Sequence, residues 1–327
     1  MKKFIIITSI FEPSVAVKKF SELSDYKLIV VGDKKTPENW HCDNVDYLSV
    51  VEQEKSNYEL AKVLPYNHYC RKMLGYLKAI QSGAEIIIDT DDNIPKANWK
   101  FPEFEREFDY IAEDKGFINI YQLYTSQKIW ARGLPLNLIK KEFELEKYLS
   151  KQDCKVGVWQ GLADEDPDVD AVYRLTNGAL CYFDERDPVV LGKGTVSPFN
   201  AQNTLFRKEL FPLMYLPTYV TFRFTDILRS LVAQPIMWSF GYRLGFSNAT
   251  VVQKRNLHDY TKDLISEFSM YEHCEKVVGL VLNSISRSES LERNLYDAYK
   301  SLLKEGIICN EEMDTLSAWL KDLEKFL

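Results

Sequence analysis

The sequence predicts an α/β protein built on a doubly wound sheet of mainly parallel strands. Short apolar runs alternate with amphipathic helical patterns in the first third of the chain, and this alternation is typical of parallel strands joined by helices. Residues 86–88 are three consecutive isoleucines, as in a strand that is covered on both faces. Three aspartates follow this strand closely, and open α/β sheets bind ligands beyond the carboxyl ends of their strands.

The individual elements follow from the same two patterns. Gly83 precedes the isoleucine strand and Pro95 follows it, so the strand is short. The other predicted elements are strands at 4–10, 27–31, 45–48, 119–124 and 156–161, and helices at 14–23 and 67–82 with a further helix that opens near Thr225 or Asp226.

From about residue 267 the sequence is helical, with apolar residues at helical spacing that include Leu291, Leu295 and Leu302. We therefore expect two parts, a ligand-binding domain of residues 1–270 and a helical extension of residues 271–327. The extension would pack on the domain or form a homo-oligomer. A docking surface for a membrane or a partner enzyme is the alternative.

Composition and charge limit the classes of partner. The formal net charge of −7 argues against nucleic acid or an anionic membrane as the main partner. No apolar run approaches the 18 or more residues of a membrane span. Six cysteines are scattered without a close pair, which favours neither a zinc site nor a disulfide framework. We expect a reducing, cytoplasmic setting.

The aspartate cluster requires a positive charge. Two carboxylates roughly 5 Å apart repel by about 3 kcal/mol at an effective dielectric constant of about 20, so one is protonated or a cation joins them. Oxygen ligands suit Mg²⁺ or Mn²⁺. Asp89 and Asp91 would lie about 6.7 Å apart along an extended chain, so we expect Asp91 as the direct ligand, with Asp89 acting through water or on a ribose hydroxyl. A solvated acidic turn is the alternative.

Motifs across residues 4–275 carry a resemblance to one family. They are Gly-Asp-Lys-Lys-Thr-Pro at 32–37, Leu-Pro-Tyr-Asn at 64–67, Arg-Lys-x-x-Gly-Tyr at 71–76, Asp-Thr-Asp-Asp-Asn at 89–93, Trp-x-Arg-Gly-x-Pro-Leu at 130–136, Gln-Gly-Leu-Ala-Asp at 160–164, Asp-Pro-Asp-Val-Asp-Ala at 166–171, Tyr-Arg-Leu-Thr at 173–176, Pro-Phe-Asn-x-Gln-Asn-Thr at 198–204, Arg-x-x-Asp-Ile at 223–227 and Gln-x-Arg-Asn-x-His at 253–258. The set resembles the STELLO family of glycosyltransferases and, more distantly, the UDP-arabinopyranose mutases, or reversibly glycosylated polypeptides.

Both resemblances imply a GT-A type, Rossmann-like nucleotide-sugar fold with an Asp-x-Asp metal site. They suggest a Mn²⁺- or Mg²⁺-dependent glycosyltransferase that moves a sugar from a UDP-sugar to a glycan or lipid-linked acceptor in surface polysaccharide biosynthesis. A nucleotide-sugar mutase and a non-catalytic, glycosyltransferase-like scaffold are the alternatives. The arginine that becomes glycosylated in the mutases has no counterpart after Pro135-Leu136, so that chemistry is not carried over.

Within this resemblance, several residues are candidates for binding the donor. Asp33 would accept from a base edge, with a turn or helix cap as its alternative role. Arg71 and Lys72 would reach the phosphates unless they form a solvated helix face. Further candidates for binding or shaping the nucleotide-sugar site are Asp89, Asp92, Trp130, Arg132 and Arg255.

The remaining candidates concern the metal and the acceptor. His258 would complete the metal shell with Asp91 and Asp89, or it is a buried, hydrogen-bonded histidine. Asp164, Asp168 and Asp226 are candidates for holding or deprotonating the acceptor hydroxyl. Asp-Pro-Asp is also common turn chemistry, and a helix cap is the alternative role for Asp226.

Overall fold

The computed structural model describes residues 1–254 and 259–327, and it confirms the predicted α/β class. Within these ranges the strands are β1 Lys3–Thr8, β2 Lys27–Val31, β3 Val45–Leu48, β4 Ile86–Thr90, β5 Ile94–Pro95, β6 Glu105–Ile111, β7 Gly116–Phe117, β8 Leu149–Glu165, β9 Val189–Leu191, β10 Thr195–Val196, β11 Asn203–Arg207 and β12 Arg243–Gln253. The α-helices are α1 Val15–Ser21, α2 Val50–Lys55, α3 Glu59–Val63, α4 Lys72–Gln81, α5 Ala171–Thr176, α6 Thr225–Ser239, α7 Tyr260–Ser284, α8 Leu291–Lys304 and α9 Asn310–Leu323.

Ten of these strands form one mixed sheet in the order β3-β2-β1-β4-β11-β8-β6-β9-β12-β5. The first four strands of this order are parallel. β11 is antiparallel to both β4 and β8, and β12 runs parallel to β8. The carboxyl ends of β1, β2, β4, β8 and β12 therefore lie along the same edge of the sheet.

β4 lies near the centre of the sheet, and each of its five residues is buried. Successive side chains of a strand point to opposite faces. Ile87 accordingly belongs to the core on the α4 side, which contains Leu77, whereas Ile88 belongs to the core on the α1 side, which contains Phe20. The helices on both faces explain the three consecutive isoleucines of this strand.

Predicted and observed elements differ at a few places. The strands at 27–31 and 45–48 have the predicted bounds, and the strand at 156–161 is part of the longer β8. The segment 119–124, predicted as a strand, contains a 3-10 helix at Ile120–Leu123 instead. Its apolar residues fill the core, and a short buried run does not distinguish a strand from a helical turn. The predicted helix at 67–82 begins with the 3-10 turn Tyr69–Arg71 and continues as α4.

The C-terminal helices pack against earlier parts of the chain. α7 contacts α5 and α6, and α9 contacts α3. The carboxylate of Asp322 in α9 accepts the backbone N–H groups of Glu59 and Leu60 at 2.9 and 2.8 Å, so it caps α3. The predicted boundary between residues 270 and 271 falls inside α7, and the division into two parts stays a prediction. Among the described helices, none is both long enough and apolar enough to cross a bilayer.

A close approach of α4 to the sheet gives a stability prediction. A Cβ at Gly75 would lie 2.6 Å from Cγ2 of Val31 and 2.7 Å from Cγ2 of Ile6. We expect Gly75→Ala to lower the free energy of unfolding by about 1–3 kcal/mol through overpacking, measured by urea denaturation. Gly279→Ala in α7 is the matched control, because, apart from the nearby backbone of α7, no atom lies within 4 Å of its Cβ position. Equal stability of the two variants would contradict this account.

Candidate functional site

Two of the cavities at the carboxyl edge of the sheet share lining residues. The larger, of about 350 Å³, is lined by the segments that follow β1, β2 and β4. The smaller, of about 190 Å³, is lined by the segment after β8, the start of α6 and the end of β12. Tyr69, Asp91 and Phe222 line both, so the two cavities form one cleft. A further cavity of about 690 Å³ at the amino-terminal edge, beside Lys3 and Ile86, contains none of the predicted site residues.

The ammonium group of Lys72 lies between two aspartates of the cluster. Lys72 is the first residue of α4, and its side chain is fully buried. Its Nζ is 2.6 Å from Oδ1 of Asp89 and 2.7 Å from Oδ1 of Asp91. It also donates to the carbonyl oxygen of Thr90 at 2.7 Å. The positive charge that the two carboxylates require is therefore supplied by the chain itself.

A second buried cation, Arg229 of α6, neutralises the other side of Asp89. Its Nη1 donates to Oδ2 of Asp89 at 2.7 Å, and its Nη2 donates to the carbonyl oxygen of Asn200 at 3.1 Å. Asp89 is fully buried and lines neither cavity. Because both of its oxygens face cations, this placement differs from the expected contact with a metal-bound water or a ribose hydroxyl. That role of Asp89 stays a prediction.

Asp91 is the aspartate of the cluster that faces both cavities, with 40% of its side chain accessible. Desolvation by the walls of the cleft raises the pKa of its carboxyl to about 6, with Lys72 acting in the opposite direction. Asp92 lines the larger cavity, and its Oδ1 accepts from the hydroxyl of Ser14 at 3.1 Å. Burial raises the pKa of Asp92 as well.

Asp91 and its neighbours can bind a divalent ion only if other groups supply further ligands. Within residues 1–254 and 259–327, no group of three histidine, cysteine or acidic side chains is arranged to hold a metal. Asp91 can supply one accessible carboxylate, and Mg²⁺ is commonly held by one or two carboxylates plus substrate phosphates. The donor set therefore fits an ion that shares its ligands with a bound phosphate. His258 and Arg255 lie outside the described residues.

The larger cavity contains the predicted base-binding aspartate. Asp33 follows β2, is 5% exposed, and accepts the backbone N–H groups of Lys34 at 2.7 Å and His68 at 3.0 Å. Arg71 lies outside both cavities, because its Nε donates to Gln53 and its Nη1 donates to the carbonyl of Leu64. Its predicted contact with phosphate therefore has no support from its position.

In the smaller cavity, one arginine joins two of the predicted catalytic carboxylates. Arg132 donates to both oxygens of Asp168 at 2.7 Å, and its Nη2 also lies 2.9 Å from both oxygens of Asp226. Burial by itself raises the pKa of Asp168, but the guanidinium groups of Arg132, Arg223 and Arg174 together hold that pKa below its usual range. The third candidate, Asp164, pairs with Lys96 and lines neither cavity.

A buried glutamate of α7 is linked to Arg132 through Arg223. Oε1 of Glu267 accepts from Nε of Arg223 at 2.9 Å, and the carbonyl oxygen of Arg223 accepts from Nη1 of Arg132. Oε2 of Glu267 accepts the backbone N–H of Ala171 at 2.7 Å. Sequence reasoning assigned no role to Glu267 or Arg229. A charged residue inside an otherwise apolar helical pattern is the signal that could have identified Arg229.

The ion pair of Arg229 with Asp89 leads to a stability prediction. Removing one partner leaves an uncompensated buried charge. We expect Arg229→Met to lower the free energy of unfolding by about 3–5 kcal/mol, measured by urea denaturation. Arg293→Met is the control, because Arg293 pairs with Asp297 on the exposed face of α8 and such pairs contribute about 0–1 kcal/mol. Similar losses in both variants would show that the burial of the pair has no special effect.

A second prediction concerns pH and Asp170, which caps α5 and accepts N–H groups from Tyr173 and Trp130 at 2.8 Å. Burial raises the pKa of Asp170 to about 6, against about 3.9 in an unfolded chain. The folded protein thus binds more protons between these values, and its free energy of unfolding falls as the pH rises through them.

In Asp170→Asn, the pH-dependent contribution of this carboxyl group to the free energy of unfolding is absent. From pH 4 to pH 7, the unfolding free energy of the wild type should therefore fall relative to that of the variant, by up to about 3 kcal/mol. Urea denaturation at several pH values measures the difference. A difference that does not change with pH would contradict the raised pKa.

Comparisons with known proteins point to one family. A family model described as STELLO glycosyltransferases matches residues 223–327, which include α6 to α9. Two proteins of Arabidopsis thaliana, named "Probable glycosyltransferase STELLO1" and "Probable glycosyltransferase STELLO2", are 25% and 26% identical to this chain. Each alignment covers 98% of the chain but 44% of the relative, so the chain spans less than half the length of these curated relatives. Together the two comparisons confirm the resemblance to the STELLO glycosyltransferases that the sequence motifs indicate.

Proposed function

We propose that this chain is a glycosyltransferase that moves a sugar from a nucleotide-sugar donor to a glycan or lipid-linked acceptor. The observation that carries the proposal is the position of Asp91, whose accessible carboxylate lines both cavities of the cleft. A donor in the larger cavity would thereby place its diphosphate beside an acceptor in the smaller one. Holding two reactants in this way is a large part of enzymatic rate enhancement.

The larger cavity suits a nucleotide. Its volume of about 350 Å³ falls within the usual range for small-molecule sites. Each oxygen of Asp33 accepts one backbone N–H and keeps a further lone pair for the N–H of a base edge. Uracil carries such an N–H group, and the donor that we propose is a UDP-sugar. The parallel β3-β2-β1-β4 half with the antiparallel β11 beside it is compatible with a GT-A type fold.

The proposed cofactor is Mn²⁺ or Mg²⁺, held by Asp91 together with the donor phosphates. Such an ion neutralises the charge that develops on the diphosphate leaving group. Asp92 lines the same cavity and can accept from a ligand water or a sugar hydroxyl. The roles of Asp89 and His258 as further ligands stay predictions.

The smaller cavity suits an acceptor with several hydroxyl groups. Arg132, Asp168 and Asp226 meet there, and Gln202 and Gln253 also line it. A low pKa makes Asp168 a poor proton acceptor at neutral pH, so we assign Asp168 to orienting Arg132 and binding hydroxyl groups. We assign the role of general base to Asp226, which lies in the first turn of α6 and lines the same cavity as Asp91. Addition of sugars to surface polysaccharides is the biological setting that we propose.

Thermal unfolding with a panel of nucleotides and nucleotide sugars, with and without Mn²⁺, tests the proposal. A donor at 100 times its Kd should add about 2.7 kcal/mol to the free energy of unfolding. In Asp91→Asn the Mn²⁺-dependent part of this gain should disappear. Asp43→Asn is the control, because Asp43 is 94% exposed and lines neither cavity.

The donor that stabilises the protein most is then incubated with candidate glycan acceptors, and the release of nucleoside diphosphate is measured. Acceptor-dependent release supports a transferase. Interconversion of the donor sugar without any acceptor would indicate a mutase instead. If no nucleotide stabilises the wild type, the enzyme proposal fails and a scaffold role is favoured.

A further inference from the structure

We propose that Lys72 serves as the resident cation of the aspartate cluster, so that a divalent ion enters the site only together with the diphosphate of the donor. This inference rests on the proposed function, because it specifies how the donor and the metal bind. It assigns to Lys72 a positioning role that differs from the direct phosphate contact predicted from the sequence.

The surroundings of the Lys72 ammonium resemble a cation-binding cage made of oxygen atoms. An ammonium group has three N–H donors. Three oxygens lie at 2.6–2.7 Å from Nζ: Oδ1 of Asp89, Oδ1 of Asp91 and the carbonyl oxygen of Thr90. The hydroxyl of Tyr69 lies further away at 3.4 Å. The ammonium thus uses the oxygens at the end of β4 with which two aspartates could otherwise have chelated a metal.

The position of this ammonium is fixed by its surroundings. Lys72 begins α4, which packs so closely on the sheet that Gly75 leaves no room for a Cβ. The Lys72 side chain has no accessible surface, so it cannot reach solvent unless its neighbours rearrange. Asp89 is held from its other side by Arg229 at 2.7 Å. A metal that bridged Asp89 and Asp91 would therefore have to displace a buried cation.

The charges of the cluster lead to the same conclusion. Lys72 and Arg229 carry two positive charges, and they balance the two negative charges of ionised Asp89 and Asp91. Among these four groups, a divalent ion that arrived alone would find no carboxylate charge that is not already paired. The diphosphate of a nucleotide sugar brings the compensating negative charge, and its oxygens complete the ligand set around the accessible side of Asp91.

Metal and nucleotide should therefore bind cooperatively. By linkage, the factor by which the nucleotide raises the metal affinity equals the factor by which the metal raises the nucleotide affinity. With the wild type we expect Mn²⁺ alone to bind weakly, and UDP to raise its affinity roughly tenfold or more. Calorimetric titrations of Mn²⁺ with and without UDP, and of UDP with and without Mn²⁺, measure both factors. Titrations without protein correct for the binding of Mn²⁺ to UDP in solution.

Lys72→Met tests the origin of the cooperativity. Methionine keeps an unbranched, apolar side chain in the buried channel but removes the ammonium. We expect this variant to bind Mn²⁺ without UDP roughly tenfold or more tighter than the wild type, because Asp89 and Asp91 become available together. Lys78→Met on the same helix is the matched control, since Lys78 pairs with Asp46 at the surface. Its Mn²⁺ affinity should equal that of the wild type.

The outcomes separate this inference from the proposed function. Wild-type protein that binds Mn²⁺ equally well with and without UDP would overturn the inference alone, as would a folded Lys72→Met variant with no gain in Mn²⁺ affinity. Absence of any nucleotide binding would overturn the proposed function and the inference together. If circular dichroism shows that Lys72→Met is unfolded, the paired titrations on the wild type decide.

Discussion

The structure depends on a buried group of four charges in which Lys72 and Arg229 neutralise Asp89 and Asp91. Taking an ion out of water costs several kcal/mol unless a partner is held in good geometry. The group therefore fixes how its three elements meet. α4 supplies Lys72, α6 supplies Arg229, and β4 with the residue after it supplies the two aspartates. Any shift of one helix along the sheet would leave a charge unpaired.

The cleft beside this group is assembled from distant parts of the chain. Asp33 and Asp91 come from the first half of the sheet, whereas Arg132 lies in a connecting segment and Asp226 opens α6. Glu267 of α7 reaches the cleft through Arg223 and Arg132. Three residues of the segment that matches the STELLO family model, Arg223, Asp226 and Gln253, thus line the smaller cavity together with residues from earlier in the chain.

Much of the fold follows from local sequence patterns, because strand and helix periods are local properties. They give the bounds of β2 and β3 and place the aspartates at the end of β4. The patterns fail at residues 119–124, where burial without periodicity is ambiguous. They also do not show that β11 runs antiparallel beside β4, since the pairing of distant strands leaves no local pattern in either one.

In the site, too, the features that depend on neighbouring residues are predictable, whereas those that depend on distant pairings are not. The repulsion between Asp89 and Asp91 is a local property, so the need for a cation is predictable from the sequence. The residues that supply this cation are not predictable from the sequence. Arg229 lies 140 residues away from Asp89, and the sequence pattern predicts that Lys72 points towards phosphate. Likewise, the placement of Asp164 with Lys96 rather than in the cleft depends on a pairing across 68 residues.

The cap that Asp322 places on α3 affects how the protein is made. The two partners of this hydrogen bond are separated by 263 residues, and a ribosome adds about 5–20 residues per second. During synthesis, Asp322 is therefore added tens of seconds after the N–H groups of α3 that its carboxylate accepts. The nascent sheet can form before that, but α3 reaches its final packing only after α9 has emerged. The time at which α3 completes its folding is therefore set by the synthesis of α9, not by that of the sheet.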